Sequence, residues 1–191
     1  METGATKPSQ LQLRWDGSEV QWASLHTEGE KGSVYSFGSR AIRKISMLPE
    51  VIRFLHGRYK DVESIFYSRR FSQSTMVPSV VVDGDIESAH KWFNLHNAPS
   101  EVSKVRLSHL ESVDTEPVIV EGLDNDWEAA ITDSFPQARP VNQAAVLMNL
   151  ASASSRTEEG KWVVYVDAGI KGADIVSAKD GSPRYIGATP S

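Results

Sequence analysis

The chain contains no cysteine. That excludes disulfides, thiolate-held zinc, iron–sulfur clusters and a thiol nucleophile. It also lacks long hydrophobic runs, and no stretch approaches the about 20 apolar residues a membrane helix needs. The opening residues, Met1 to Gln10, are polar and include Pro8. They have no apolar core of the kind a signal peptide carries, which predicts a cytoplasmic location. Positive charge is scarce: 20 Lys and Arg stand against 25 Asp and Glu, a net charge of −5. A general nucleic-acid binder needs the opposite excess to release phosphate counterions, and a membrane-surface protein needs basic clusters. The phosphate-binding pattern Gly-x-x-x-x-Gly-Lys-Ser/Thr, the dinucleotide pattern Gly-x-Gly-x-x-Gly and the Gly-x-Ser-x-Gly elbow are all absent. His26, His56, His90, His96 and His109 form no i, i+4 pair, so no metal site is expected.

What is present is ordinary globular material. Of 191 residues, 40% are hydrophobic and 24% charged, enough for one substantial domain or two small lobes. Leu11-Gln-Leu-Arg-Trp15 alternates apolar and polar residues, which predicts a strand. Asp16-Gly17-Ser18 then reads as a hairpin turn of type I′, with Val20–Leu25 returning. Thr27–Ser33 reads as a second turn and Val34–Phe37 as a short third strand. Val51, Ile52, Leu55 and Tyr59 recur at helical spacing behind Pro49, predicting a helix over 47–59.

Further along, Val62–Tyr67 predicts a strand and Phe71–Pro78 a polar connector. Val80–Val82 is a β-branched run. A helix is expected over Ile86–Leu95, and strands over Val102–Leu110 and Pro117–Val120. Helices follow from Trp127 to Ser134 and from Pro140 to Ala151, then a polar linker to Gly160. Trp162-Val-Val-Tyr-Val166 is continuously apolar, which predicts a buried central strand ended by Asp167-Ala-Gly169. Gly172–Val176, a second Asp-Gly turn at Asp180-Gly181, and Tyr185-Ile186 complete another meander.

Several residues invite a sharper reading, each with a plainer one beside it. Asp83-Gly-Asp85 and Asp124-Asn-Asp126 have cation-ligand chemistry but no EF-hand spacing, and helix caps or turns account for them better. Arg69-Arg70, with Arg58 and Lys60, reads as solvated surface. Most of Trp15, Trp22, Trp92, Trp127 and Trp162 are expected in the core, and an exposed one would mark a partner surface.

Two meanders, each opened by an apolar strand, flank a stretch that alternates strands and helices. That order resembles the actin-like ATPase fold, built from ribonuclease-H-like lobes. Trp162–Gly169 and the return strand Ala173–Gly181 look like that fold's second phosphate segment. More narrowly, Thr75-Met-Val-Pro78, Ala89-His-Lys-Trp-Phe93, and Phe135-Pro136 followed by Leu147-Met148 resemble an uncharacterised bacterial family with an actin-like fold. Actin-fold pilus-assembly and secretion scaffold proteins are more distant relatives of the same shape.

The resemblance implies an α/β fold: a mixed sheet with an N-terminal antiparallel meander, crossover helices, and the opening meander of a second, incomplete lobe. It implies a tail over 1–10, a first lobe over 11–151, a linker over 152–160 and the start of a second lobe over 161–191. Helices completing that second lobe would lie beyond Ser191. In the family such turns bring backbone amides to nucleotide phosphate, with an Asp near the metal, and small residues make that approach feasible. Transferred here, Asp16, Gly17, Asp167 and Gly169 would bind ATP with magnesium. Trp15 and Glu19 flank the first turn, however, and an anionic Glu19 repels phosphate. Ile170 and Lys171 stand where a Gly/Thr-rich loop is expected. The favoured expectation is a non-catalytic actin-like module without a cofactor, acting through a protein partner or self-association. The alternatives are a nucleotide-binding ATPase and, behind both, an unrelated small α/β enzyme.

Overall fold

A computed structural model describes residues 7–28, 31–70, 73–78, 85–96, 104–108, 110, 117–157, 159–169 and 172–190. The chain divides into two compact units. One comprises Met1–Arg70 with Asn125–Val141, the other Phe71–Asp124 with Asn142–Ser191. Both are assembled from two separated stretches.

The first unit is a five-stranded sheet in the order β3-β2-β1-β4-β8. Strand β1 (Gln10–Trp15) is the alternating segment, and Leu11, Leu13 and Trp15 are its buried face. It pairs antiparallel with β2 (Glu19–Glu28) and parallel with β4 (Ser64–Arg69). Strand β3 (Lys31–Ala41) is longer than its apolar run suggests, because β2 supplies a ladder along its whole length. Between β3 and β4 runs helix α1 (Leu48–Tyr59), with Pro49 in its first turn. A parallel neighbour needs such a crossover.

The apolar spacing of α1 becomes burial: Leu48, Val51, Ile52, Leu55 and Tyr59 join the core. Trp127, Ala130 and Ile131 of α3 (Asn125–Ser134) join the same cluster. The Trp15 and Trp127 rings meet at 5.7 Å, and Tyr67 packs edge-on to Trp127 at 6.3 Å. Tyr67, at this core, donates its hydroxyl to Glu128 at 2.6 Å. Hydroxyl–hydroxyl bonds also link Ser24 with Ser36 (2.7 Å) and Ser36 with Tyr59 (2.8 Å).

Two expectations change here. Pro140 does not open a helix; Arg139–Pro140 forms β8, a two-residue strand beside β4. A strand at a sheet edge tolerates the missing proline N–H. The Arg69-Arg70 pair is not simply solvated: Arg70 is buried, and Arg69 lies over the Trp15 ring at 5.3 Å. Arg58 and Lys60 are exposed as expected.

The second unit holds two three-stranded sheets, β5-β7-β6 and β11-β10-β9. The segment read as a polar connector contains β5 (Ser74–Pro78), which pairs antiparallel with β7 (Pro117–Gly122). Its strand character comes from that partner rather than from local hydrophobicity. Strand β6 (Val105–Ser108) lies on the other side of β7. Helix α2 (Ile86–His96) buries Ala89 and Phe93 against Val77, Val105, Val118 and Val120. Asp85 caps it, its carboxylate accepting from Glu87 N, Ser88 N and the Ser88 hydroxyl. Val80–Val82 and Asp83-Gly84 lie outside the described residues.

Helix α4 starts later and ends later than its sequence suggests, at Gln143–Ser155. Asn142 is its N-cap, accepting from Ala145 N at 2.9 Å. Its last turn is rich in serine, which favours a linker by composition, yet Ser152 and Ser155 are buried. Ser155 returns its hydroxyl to Ser152 O and accepts the Gly181 N–H at 2.8 Å. Ala145, Met148 and Ala151 of α4 pack against Ile119 of β7 and Val176 and Ala178 of β10.

Strand β9 (Trp162–Gly169) corrects the expectation of a buried central strand. It is the edge of its sheet among the described residues, paired with β10 (Gly172–Lys179) alone. Val163 and Tyr165 face the core, while Trp162, Val164 and Val166 are 56–58% exposed. Asp167-Ala-Gly169 continues the strand instead of breaking it. Beyond β10, Asp180 and Gly181 take φ of 51° and 79°, and β11 (Ser182–Pro190) returns. Two consecutive positive φ angles make this the type I′ turn. Asp16-Gly17 is not one, since only Gly17 there is positive, at 90°. Among the described residues no helix is long and apolar enough to cross a membrane.

Candidate functional site

The residues singled out from the sequence fall at two strand ends, one in each unit. Asp16 and Gly17 form the β1–β2 turn of the first unit. Asp167 and Gly169 end β9 in the second.

At the first turn the chain folds back on its own carboxylate. Asp16 Oδ1 accepts from Ser18 N (2.9 Å), the Ser18 hydroxyl (3.0 Å) and Glu19 N (2.8 Å). This side-chain-closed turn is a typical use of Asp. Gly17 supplies the positive φ at its tip. The two amides best placed to meet an anion therefore already hold one. Next to them, Glu19 accepts from Gln21 Nε2 at 3.2 Å, and Gln21 Oε1 accepts from Arg14 Nη2 at 2.8 Å. The acidic flank noted in the sequence is thus tied into a line of side chains along the hairpin.

At the second strand end, Asp167 accepts from the side-chain amide of Gln143. Gln143 is the first residue of α4, directly after the Asn142 cap, so the cap fixes where that amide starts. Across the ladder Asp167 faces Asp174, which is buried. Directly opposed like charges disfavour a sheet pair, so a neutral donor on one of them offsets part of the repulsion. Gly169 pairs with Gly172 across the strand end. Ile170 and Lys171 lie outside the described residues.

The sequence singles out Asp167 but carries no local sign that Gln143 and Asp174 lie beside it. Gln143 lies 24 positions from Asp167 and meets it only through the docking of α4 on β9. Asp174 sat in the expected return strand, and its register to Asp167 was the only available signal. Elsewhere in the first unit an open groove is lined by Pro49, Arg53, His56, Ala130, Asp133 and Ser134. Its His56 ring stands edge-on to Phe135 at 5.1 Å, a packing contact.

No family model and no curated protein matches the chain. Solved structures do. A Bacteroides thetaiotaomicron protein with an actin-like ATPase fold and unknown function aligns with 100% of this chain and 73% of its own. Its TM-score is 0.77 at 15% identity. A structure of the PilM–PilN type IV pilus biogenesis complex matches 95% of this chain over 61% of its own, with a TM-score of 0.60 and 14% identity. At such identities the likeness is one of fold, and the chain has the actin-like ATPase fold.

Proposed function

We propose that this chain is a non-catalytic actin-fold module that acts through protein contacts. The observation that carries the reading is the first hairpin. An ATPase of this fold would turn those amides toward phosphate, as backbone nests do for anions. Here Ser18 N and Glu19 N are occupied by the Asp16 carboxylate of the same turn. A phosphate would have to displace that carboxylate and then sit beside both Asp16 and Glu19. The residues present therefore do not fit a nucleotide phosphate at this turn. The fold-level likeness to PilM, found in complex with PilN, agrees with a role in assembly.

A second reading, a nucleotide-binding ATPase, has one observation in its favour. Asp167 is oriented by Gln143 at a strand end, an arrangement that could hold a metal-bound water. Isothermal titration of magnesium-ATP into the purified chain, with ADP as control, separates the two. No heat and no thermal stabilisation at millimolar nucleotide is the expected result. Micromolar binding that is lost in Asp167→Ala would overturn the first reading.

A further inference from the structure

We infer that the outward face of α1 binds an acidic segment of another protein, whose carboxylates meet Arg53, Arg58 and Lys60 and whose apolar residue covers Phe54. The inference rests on the reading above that protein contact is the chain's role, and it names the surface and the chemistry of the partner.

Positive charge is concentrated here against the trend of the chain. From residue 40 to residue 60 stand six cations, Arg40, Arg43, Lys44, Arg53, Arg58 and Lys60, and one carboxylate, Glu50. That is a local charge of +5 in a chain of −5, which leaves −10 on the remaining residues. All six cations are exposed. Among the described residues only Arg40 of the six has a carboxylate partner, Glu50 at 3.7 Å. Arg53 and Arg58 are held without being neutralised: Arg53 Nε donates to Pro49 O at 3.2 Å, and Arg58 lies over the Tyr59 ring at 5.6 Å. The opposite face of α1, with Val51, Ile52, Leu55 and Tyr59, is buried in the core, so the helix presents its cations from a fixed position. Like charges gathered on one surface repel one another, and that surface gains by meeting anions.

The shape of the face points to a protein segment. Residues three and four apart are neighbours on a helix, so Gly57 sits between Arg53 and Phe54 on one turn and Lys60 on the next. Glycine is the poorest helix former after proline. Among the described residues nothing requires it here, since a Cβ at Gly57 would meet no atom within 4 Å. A partner backbone crossing α1 does require it, because the missing side chain lets that backbone come close. Phe54 and Ile45 stand 48% and 47% exposed beside the cations, and the Arg40 guanidinium lies over the Phe54 ring at 5.8 Å. Aromatic side chains and arginines are the usual anchors of a protein contact. Toward α3, Arg53 and His56 line the groove that also holds Asp133. That carboxylate and Glu50 bound the patch and direct the partner's acidic residues to Arg53, Arg58 and Lys60. A membrane or a nucleic-acid duplex carries anions over an area wider than the patch and meets the −10 of the remainder. An acidic segment meets the patch alone. A segment without anions cannot cover this face, because it would strip water from unpaired cations.

The test is the fluorescence anisotropy of a labelled peptide, glutamates around a central phenylalanine, titrated with the full chain. Saturable binding that weakens as salt rises is expected. Arg53→Glu combined with Lys60→Glu should weaken it about tenfold or more. Lys104→Glu combined with Arg184→Glu changes the net charge equally at exposed positions elsewhere. That pair should leave binding within about twofold, since distant charges are screened. Gly57→Gln adds bulk without charge and favours the helix, so it should weaken binding with no loss in circular dichroism or thermal melt. No binding of the peptide to the unaltered chain overturns the inference. So does unchanged binding in the folded Arg53→Glu, Lys60→Glu chain, or an equal loss in the two charge-reversal pairs. Tighter binding to phosphatidylglycerol vesicles or to a DNA duplex than to the peptide also overturns it. Nucleotide titration is a separate readout: a chain that ignores both peptide and ATP sinks only this surface, and a chain that binds both sinks only the non-catalytic reading.

Discussion

Asp16 Oδ1 accepts the backbone N–H of Glu19 at 2.8 Å, three positions along the same turn. With the two bonds from Ser18, this makes Asp16 a structural acceptor for the hairpin that opens the sheet. Asp16→Ala should therefore lower stability by about 1–2 kcal/mol, the cost of leaving partnered turn amides to water. Asp16→Asn keeps one acceptor and should cost less. Urea unfolding measures both. An Asp16→Ala chain as stable as the original would mean the carboxylate serves something other than the turn.

Val164 and Val176 stand on neighbouring strands at opposite extremes of burial, 58% and 0% exposed. Val176→Ala should cost about 2 kcal/mol through lost burial and a cavity. Val164→Ala should change the stability of the isolated chain by no more than about 0.5 kcal/mol, as surface positions do. Comparable losses at both sites would place β9 inside a core and contradict its position at the edge.

Gly181 has φ of +79° in the type I′ turn, and its N–H is bound to buried Ser155. A Cβ there would also meet the Arg156 side chain. Gly181→Ala should destabilise by at least about 1 kcal/mol, because an L side chain disfavours this φ. Gly17→Ala, with φ of +90° but open space around it, should cost less. Thermal melts of the two variants, compared directly, check the order.

The Asp85 carboxyl is held below the ordinary aspartate range, first by the Ser88 hydroxyl and then by the Glu87 and Ser88 amides. Its folded pKa is lower than its unfolded one. The cap therefore stabilises α2 fully above the unfolded aspartate range and is lost as pH falls through the folded value. Hydrogen exchange of the first α2 amides should accelerate relative to the rest of the helix on acidification. Asp85→Asn should flatten that dependence. An identical profile in the variant would remove Asp85 as the cause.

Some elements could be read locally because their signal is local. The period of β1 and the spacing of Val51, Ile52, Leu55 and Tyr59 in α1 each state which face must be buried. Others become what they are only through a partner. Strand β5 is polar at its start and is a strand because β7 lies beside it. The serines ending α4 read as linker until Ser155 is seen to receive Gly181 N. The apolar run of β9 states that a surface avoids water. It does not state whether a neighbour covers it.

The sequence by itself determined the class of the molecule: no thiol chemistry, an acidic α/β chain, and an order of meanders and crossovers that matches the actin-like fold. Composition and periodicity suffice for this because they act over a few residues at a time. The tertiary structure decided the rest. It put Gln143 on Asp167, turned Asp16 onto its own amides, and left Trp162, Val164 and Val166 on an edge. Each outcome depends on contacts or exposure set by which element lands where. Spacing along the chain cannot encode them, because packing energy is settled among groups that meet only after the chain has folded.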